Sequence, residues 1–269
     1  ITGPPCVFLW LLTFYTNLLW VFLFVAINFT IYHLKNNNNS IEARSFNSLR
    51  DQYDGDEERG FKFVKKYLTL NRSELFFTDK VICIEGDTER ILMPMMMLKV
   101  DNNIRETSEH MPLLSQNISI IEVGAHSHIF IPLFKFLGIK VLIITDIDAA
   151  KKTNGRYEKE KPLNAEHTSN ASIRHFFEGT DLEESENQFT ELVGKEESEK
   201  IKDNIRIAYQ IPEPDDEDEY QASSFEDAFI SLNKNFILRN REGLYNYGAL
   251  KKIKEDEIED IYEFSLDRL

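Results

Sequence analysis

Cysteine is scarce in this chain, bases are outnumbered, and the first thirty-two residues carry no charge at all. Its 269 residues include 2 cysteines, too few for a disulfide framework or a cysteine-built zinc site. Cys83 and Cys6 both fall in apolar stretches, so both read as inert buried thiols in a reducing setting. Lysine and arginine number 31 against 46 acids, a net charge of −15, which argues against a broad basic surface for nucleic acid. It leaves room for DNA chemistry at one site where bound metal offsets the acids. No G-x-x-x-x-G-K-[ST] loop is present to cradle nucleotide phosphates. Hydrophobic content of 42% with 29% charged residues is that of a folded protein and excludes global disorder. The length suits one good core with an appended subdomain.

Residues 1–32 lack any charged side chain, and the stretch from Cys6 to Tyr32 is almost continuously apolar and aromatic. By hydropathy, residues 7–32 are long enough to span a bilayer as a helix. A signal peptide fits poorly, because no basic segment precedes the stretch and no small-residue cleavage site follows it. The competing expectation is the remnant of an upstream domain, joined through the polar linker Asn36-Asn37-Asn38-Asn39-Ser40.

Two acidic clusters carry the chemistry. Val81-Ile82-Cys83-Ile84 runs into Glu85-Gly86-Asp87-Thr88-Glu89, and Val141-Leu142-Ile143-Ile144-Thr145 runs into Asp146-Ile147-Asp148. Both apolar runs are short, β-branched and followed by a helical pattern, the signature of buried parallel strands. Helices are expected over 61–70, 88–98 (with Leu92, Met95 and Met96 on one side), 128–137, 224–233 and 247–269. Strands are expected over 80–84, 118–123, 140–145 and 205–211. This alternation predicts an α/β sheet, in which sites form beyond the carboxyl ends of the strands. Carboxylates gathered there repel one another unless a hard cation sits between them.

Each acid also has a plain structural use. Glu85 is a loop acid or a metal ligand and general base, with Gly86 allowing the tight turn. Glu89, one helical turn on, either faces the same side or complements a helix start capped by Asp87 or Thr88. Asp146 and Asp148 alternate along extended chain, so both point one way while Ile147 enters the core. Glu226 belongs to a capping box with Ser223 or to the same cluster. His126 and His128 read as loop or phosphate-contacting residues rather than ligands, since hard cations prefer oxygen. Ser169 and Asn170 contact DNA or cap the next helix.

The acid clusters resemble the signature of the Toprim domain. Ser73-Glu74-Leu75-Phe76-Phe77, Thr78-Asp79-Lys80, Glu122-Val123-Gly124, Phe136-Leu137-Gly138-Ile139-Lys140, Thr168-Ser169-Asn170 and Ser224-Phe225-Glu226-Asp227-Ala228-Phe229 narrow the likeness to the OLD-family (overcoming lysogenization defect) nucleases, Gabija A branch included. It covers roughly residues 60–235. The resemblance implies a Toprim-type, Rossmann-like parallel sheet flanked by helices, with an irregular, mostly helical C-terminal extension. It implies metal-dependent DNA cleavage with Glu85, Asp146 and Asp148 as catalytic residues. Glu85, Glu89, Asp146, Asp148 and Glu226 would hold one or two Mg²⁺ or Mn²⁺ ions, Glu226 completing a second position. ATP would enter only through a domain absent from this chain. The implied partners are DNA, an ATPase domain elsewhere and further copies in a homo-oligomer, in the cytoplasm or anchored to a membrane through residues 7–32. The expected organisation is 1–40 apolar segment and linker, 41–78 helical lead-in, 79–235 Toprim domain with an acidic insertion, and 236–269 a truncated helical segment.

Two departures from the family stand out. Gly124-Ala125 replaces a pair of glycines. Asp260 and Ile261 stand where a lysine precedes the element resembled by Phe264-Ser265-Leu266, and Lys252 and Lys254 lie near without matching. A degenerate Toprim module that binds without cutting is therefore the alternative expectation.

Overall fold

The computed structural model describes residues 32–37, 40–53, 58–71, 73–104, 111–180, 182, 185, 187–212 and 220–244. The apolar start, Cys6 included, the acidic run at 213–219 and everything from 245 onward lie outside them, and with them the 247–269 helix and the expected lysine position at Asp260 and Ile261. No helix among the described residues is long and apolar enough to cross a membrane.

The chain divides into two compact units, Ile1–Phe61 and Lys62–Leu269. In the first, β1 (Tyr32–Asn37) and β2 (Ser40–Ser45) pair antiparallel, with Asn37 opposite Ser40. Asn36, Asn37 and Ser40, expected in a linker, thus lie in paired strands. A 3-10 segment, Phe46–Gln52, follows and buries Phe46 and Leu49. Phe46 and Tyr53 pack on the ring of Phe61, at centroid distances of 6.0 and 5.8 Å. Phe61 belongs to α1 (Glu58–Asn71), whose Val64 and Leu68 are buried one turn apart.

The second unit is built on a five-stranded sheet in which the strands run, edge to edge, Ile118–Glu122, Lys80–Ile84, Lys140–Ile144, Ile205–Ala208 and Ile201–Lys202. Its first two strands, β3 (Lys80–Ile84) and β4 (Ile118–Glu122), are joined through α2 (Asp87–Ile104). A 3-10 segment, Gly124–Phe130, and α3 (Ile131–Leu137) lead to β5 (Lys140–Ile144). Gly138 closes α3 at φ 65°, a left-handed conformation that glycine takes without strain. Both β4 and β5 pair parallel with β3, Ile82 facing Ile120 on one side and Leu142 on the other. The chain therefore lays β4 on one side of β3 and β5 on the other. The crevice beyond β3 and β5 is the topological switch point where such sheets bind ligands.

Residue 82 shows how the sheet is packed. Ile82 and Ile84 join Met93 and Met97 of α2 in one apolar cluster, with Leu142 and Ile144 against it. The α2 face turned inward is Glu89, Met93, Met97 and Asp101, a spacing of four, while Met95 is 64% exposed. This corrects the expected Leu92–Met95–Met96 face. A buried acid at each end explains the misreading: Asp101 accepts from the N–H groups of Leu113 and Leu114 at 2.7 and 3.3 Å, so polar residues continue an apolar stripe. Cys83 is fully buried and burial pushes its thiol up, as expected for an inert core cysteine.

Beyond β5, where no strand was expected before Ile205, the chain builds a further sheet. Its strands β6 (Ala149–Thr153), β7 (Arg156–Lys159) and β8 (His167–Thr168) form a separate antiparallel sheet, order β7-β6-β8. Two short helices follow, α4 (Ala171–Phe176) and α5 (Gln188–Val193). The strand β9 (Ile201–Lys202) then turns antiparallel onto β10 (Ile205–Ala208), which runs parallel to β5. Last comes α6 (Phe225–Asn240), longer than the sequence suggested. The whole is a mixed α/β fold with a parallel core flanked by helices.

Candidate metal and catalytic site

Glu85 leaves the end of β3 and Asp146 the end of β5, so the switch point places both at one crevice. Glu85 Oε1 accepts from the Asp146 N–H at 3.1 Å and from Asn170 Nδ2 at 3.0 Å. The Thr145 hydroxyl donates to the same oxygen. Asp146 Oδ1 accepts from Gln210 Nε2 and from the Phe225 N–H, both at 2.8 Å. The first turn of α6 thus points an N–H at this carboxylate, where its macrodipole favours negative charge.

Asp148 takes the left-handed conformation at φ 48°, which aspartate tolerates at modest cost. Its backbone N–H donates to Ser223 O at 3.3 Å, its carbonyl accepts from Ser169 N at 3.0 Å, and its Oδ2 accepts from Asn170 Nδ2 at 3.3 Å. Ile147 between the two aspartates is fully buried, but Asp148 does not take the extended conformation that their expected alternation assumed.

The acids share one field. Asp146 is pushed up to about 8, first by burial and then by Glu85, with Asp148 and Glu226 adding to it. Burial and Glu85 raise Asp148; burial, Glu226 and Glu85 raise Glu89. Glu85 thus acts on Asp146, Asp148 and Glu89, and Glu226 acts on Asp146 and Glu89. They do not stand ready as a coordination shell: among the described residues no three His, Cys, Asp or Glu side chains are grouped to hold an ion.

Two local expectations change. Gly86 has no left-handed φ, and a Cβ there would meet Glu89 Oε2 at an ordinary 3.6 Å. Its contribution is its N–H, which donates to Glu89 Oε2 at 3.2 Å, so Glu89 closes the helix start from its third position. Asp87 instead pairs with Arg90 at 2.6 Å on the surface. At α6 the capping role shifts by one residue: Asp227, fully buried, accepts from Ser223 N at 2.9 Å, and its own N–H reaches Ser224 Oγ at 3.2 Å. Ser223 Oγ is taken by Ala149 N at 3.0 Å. Glu226 is left out of the cap and faces the cluster's field.

Asn170 matters more than the sequence suggested. Its Oδ1 caps α4 by accepting from Ser172 and Ile173 N–H at 2.9 and 3.2 Å. Its Nδ2 meanwhile donates to Glu85, to Asp148 and to Thr145 Oγ1, the last at 2.9 Å, and the residue is 1% exposed. The cap reading was right; the reach into the acid cluster had no signal, nor did that of Gln210. Replacing Asn170 by Ala strips a cap and leaves buried acceptors unmet, a loss of about 1–3 kcal/mol. Chemical denaturation should show this lower midpoint, and a stability equal to wild type would remove Asn170 from its central place.

The histidine loop packs beside this network. Ser127 N donates to Ser172 Oγ at 3.0 Å, and Ser172 Oγ donates to Ala125 O at 2.9 Å. Gly124 takes the positive φ of 59° there, while Ala125 sits at φ −70°, so the alanine is unstrained. The rings of His126, His128 and His175 stand in series, 5.8 and 5.5 Å between centroids. Burial and these neighbours lower His128 to about 4.

Residues 76–148 match the family model described as the overcoming lysogenization defect protein-like TOPRIM domain. A curated relative, endonuclease GajA of Bacillus cereus (strain HuB5-5), is 32% identical over 208 residues. That alignment covers 76% of this chain and 26% of the relative, so the chain spans about a quarter of that protein's length. No solved structure matches. With the sequence match falling on β3 through Asp148, the stretch that builds the switch-point crevice and its acids, the chain carries an OLD-like Toprim domain.

Proposed function

We propose that this chain is the DNA-cleaving module of an OLD-family nuclease, a metal-dependent phosphodiesterase with its catalytic domain over residues 79–235. One observation carries the reading: five carboxylates from β3, α2, the β5 end and α6 share one field at a switch-point crevice, and Asp146 is held up to about 8 by burial and by Glu85. An arrangement that crowds negative charge this way suits a divalent cation, and its donors are hard oxygens, the kind Mg²⁺ and Mn²⁺ take. Glu85, Glu89, Asp146, Asp148 and Glu226 would hold one or two ions. Such ions supply an activated water and neutralise charge on the phosphate.

The chain's own groups set up that chemistry. Thr145, Asn170 and Gln210 are neutral donors that fix the acids' oxygens without cancelling their charge. The Phe225 N–H does the same at Asp146. Glu85 and Asp148, both held by Asn170, are the acids we assign to take a proton from water. DNA is the substrate we infer from the nuclease likeness; an ATPase domain and further copies of the chain are inferred partners.

A second reading, a module that binds without cutting, is favoured by Asp260 and Ile261 at the expected lysine position. Mixing the chain with supercoiled DNA and increasing Mg²⁺ or Mn²⁺ separates the two. Nicking that depends on metal supports the nuclease. Calorimetrically detected metal binding without nicking supports the degenerate module.

A further inference from the structure

Behind the acid cluster lies a cavity of about 330 Å³ whose lining includes His128, Tyr157, Thr168, Arg174 and His175. Its size is at the low end of small-ligand pockets. It shares a wall with the acid site. Thr168 Oγ1 accepts from Asn170 N at 3.0 Å, and Arg174 N donates to Asn170 O at 3.1 Å. Arg174 is thus one helical turn, about 6 Å of rise, past the residue that holds Glu85 and Asp148.

The charge here is unusual for so acidic a chain. Most ion pairs of the described residues occupy surface cations, such as Lys151 on Glu166 at 2.8 Å and Lys195 on Glu199 at 2.8 Å. Arg174 and Lys152 instead sit against the Tyr157 ring, 4.7 and 5.7 Å from its centroid. Neither has a carboxylate partner among the described residues. His128 lines the cavity with its Nδ1 sealed and lacking any hydrogen-bond partner. The one acid in the lining, Glu178, is already engaged, its Oε2 3.3 Å from His175 Nδ1. Free guanidinium donors, an aromatic plate and imidazoles together make a recognition set for a phosphate ester attached to a flat ring.

We propose that this cavity is a nucleotide-phosphate subsite, in which Arg174, backed by Tyr157 and Lys152, holds a phosphate of the substrate strand beside the acid cluster. The proposal rests on the nuclease reading for its substrate and names Arg174 as a positioning residue, not a catalytic one. It also answers how an acidic protein keeps a polyanion near five carboxylates: the cations are stacked on an aromatic ring, out of reach of their acidic neighbours.

The test is equilibrium binding of a fluorescent single-stranded oligonucleotide to the full chain without metal, across a salt series. Arg174→Ala is expected to weaken binding at least ten-fold and to reduce the salt slope by close to one ion. Arg174→Lys should recover part of the affinity, and Glu178→Gln should strengthen it. Circular dichroism checks that each variant is folded, and Arg174 is exposed, so its removal opens no hole in the core. Inorganic phosphate and a free mononucleotide serve as competitors: displacement by mononucleotide at a concentration matching the oligonucleotide's would assign the pocket to free nucleotide and overturn the strand assignment. Unchanged binding and slope in Arg174→Ala would overturn the subsite outright. Metal-dependent nicking by wild type alongside unchanged Arg174→Ala binding leaves the nuclease standing and removes the subsite. Arg174-sensitive binding without nicking does the reverse.

Discussion

Glu85→Ala and Asp146→Ala should each abolish metal-dependent DNA cleavage, with a loss of at least a hundred-fold and a fold left intact. Electrostatic groups aimed at a reacting phosphate contribute on the order of 10²–10³ in rate each, and these two acids sit at the ends of adjacent parallel strands where the others converge. Neither side chain carries core packing, so unfolding is not expected to confuse the result. Glu85→Ala also removes the acceptor that Thr145, Asn170 and the Asp146 N–H share, so its metal affinity should fall as well. The measurement is nicking of supercoiled DNA by the complete protein, with calorimetric metal titration beside it. Wild-type nicking by either variant would take the acid out of the catalytic set.

Metal-free stability should fall as pH rises, and Asp146→Asn should cancel much of that fall. The sign follows from the raised carboxyl. Asp146 holds its proton more tightly folded, at about 8, than in an unfolded chain at 3.8. The folded state is thus favoured fully below pH 3.8, and that advantage is lost as pH climbs through about 8. Asp148 and Glu89, also raised, act in the same direction. An amide at 146 keeps the hydrogen-bonding shape without the charge, so at pH 8 the variant's Tm should exceed wild type by about 3 °C or more. Divalent metal should close that gap for wild type alone, and should release protons on binding. A wild-type Tm that rises steadily between pH 4 and 8 in chelator would show that the cluster's repulsion is offset elsewhere.

The parts of this fold legible in the sequence were those written in continuous apolar runs. Strands Lys80–Ile84 and Lys140–Ile144 stand where Val81-Ile82-Cys83-Ile84 and Val141-Leu142-Ile143-Ile144 placed them, because buried parallel strands need no alternation. The insertion sheet was missed because Lys151, Lys152, Glu158 and Lys159 make its strands look like solvated loop. A signal was present: Asn154-Gly155 takes positive φ at both residues, 52° and 79°, the two-residue turn that joins hairpin strands. The α2 face was misread for a different reason, since Glu89 and Asp101 bury through hydrogen bonds and hide the four-residue stripe. At the site, the acids announced themselves by clustering. Their neutral holders did not, because Asn170 and Gln210 look like any polar residue until the chain has folded back upon them.

That folding back has a consequence in time. Asn170 meets Glu85 across 85 positions and the Phe225 N–H meets Asp146 across 79. Contacts so distant in sequence close late, after the loops between them have given up their freedom. A chain with β3 and β5 made but α6 not yet released has Glu85, Asp146 and Asp148 without Glu226 and without the Phe225 N–H that meets Asp146. The acids proposed as the metal site therefore gain these holders only after the segments around Asn170 and Phe225 have folded back onto the strand ends.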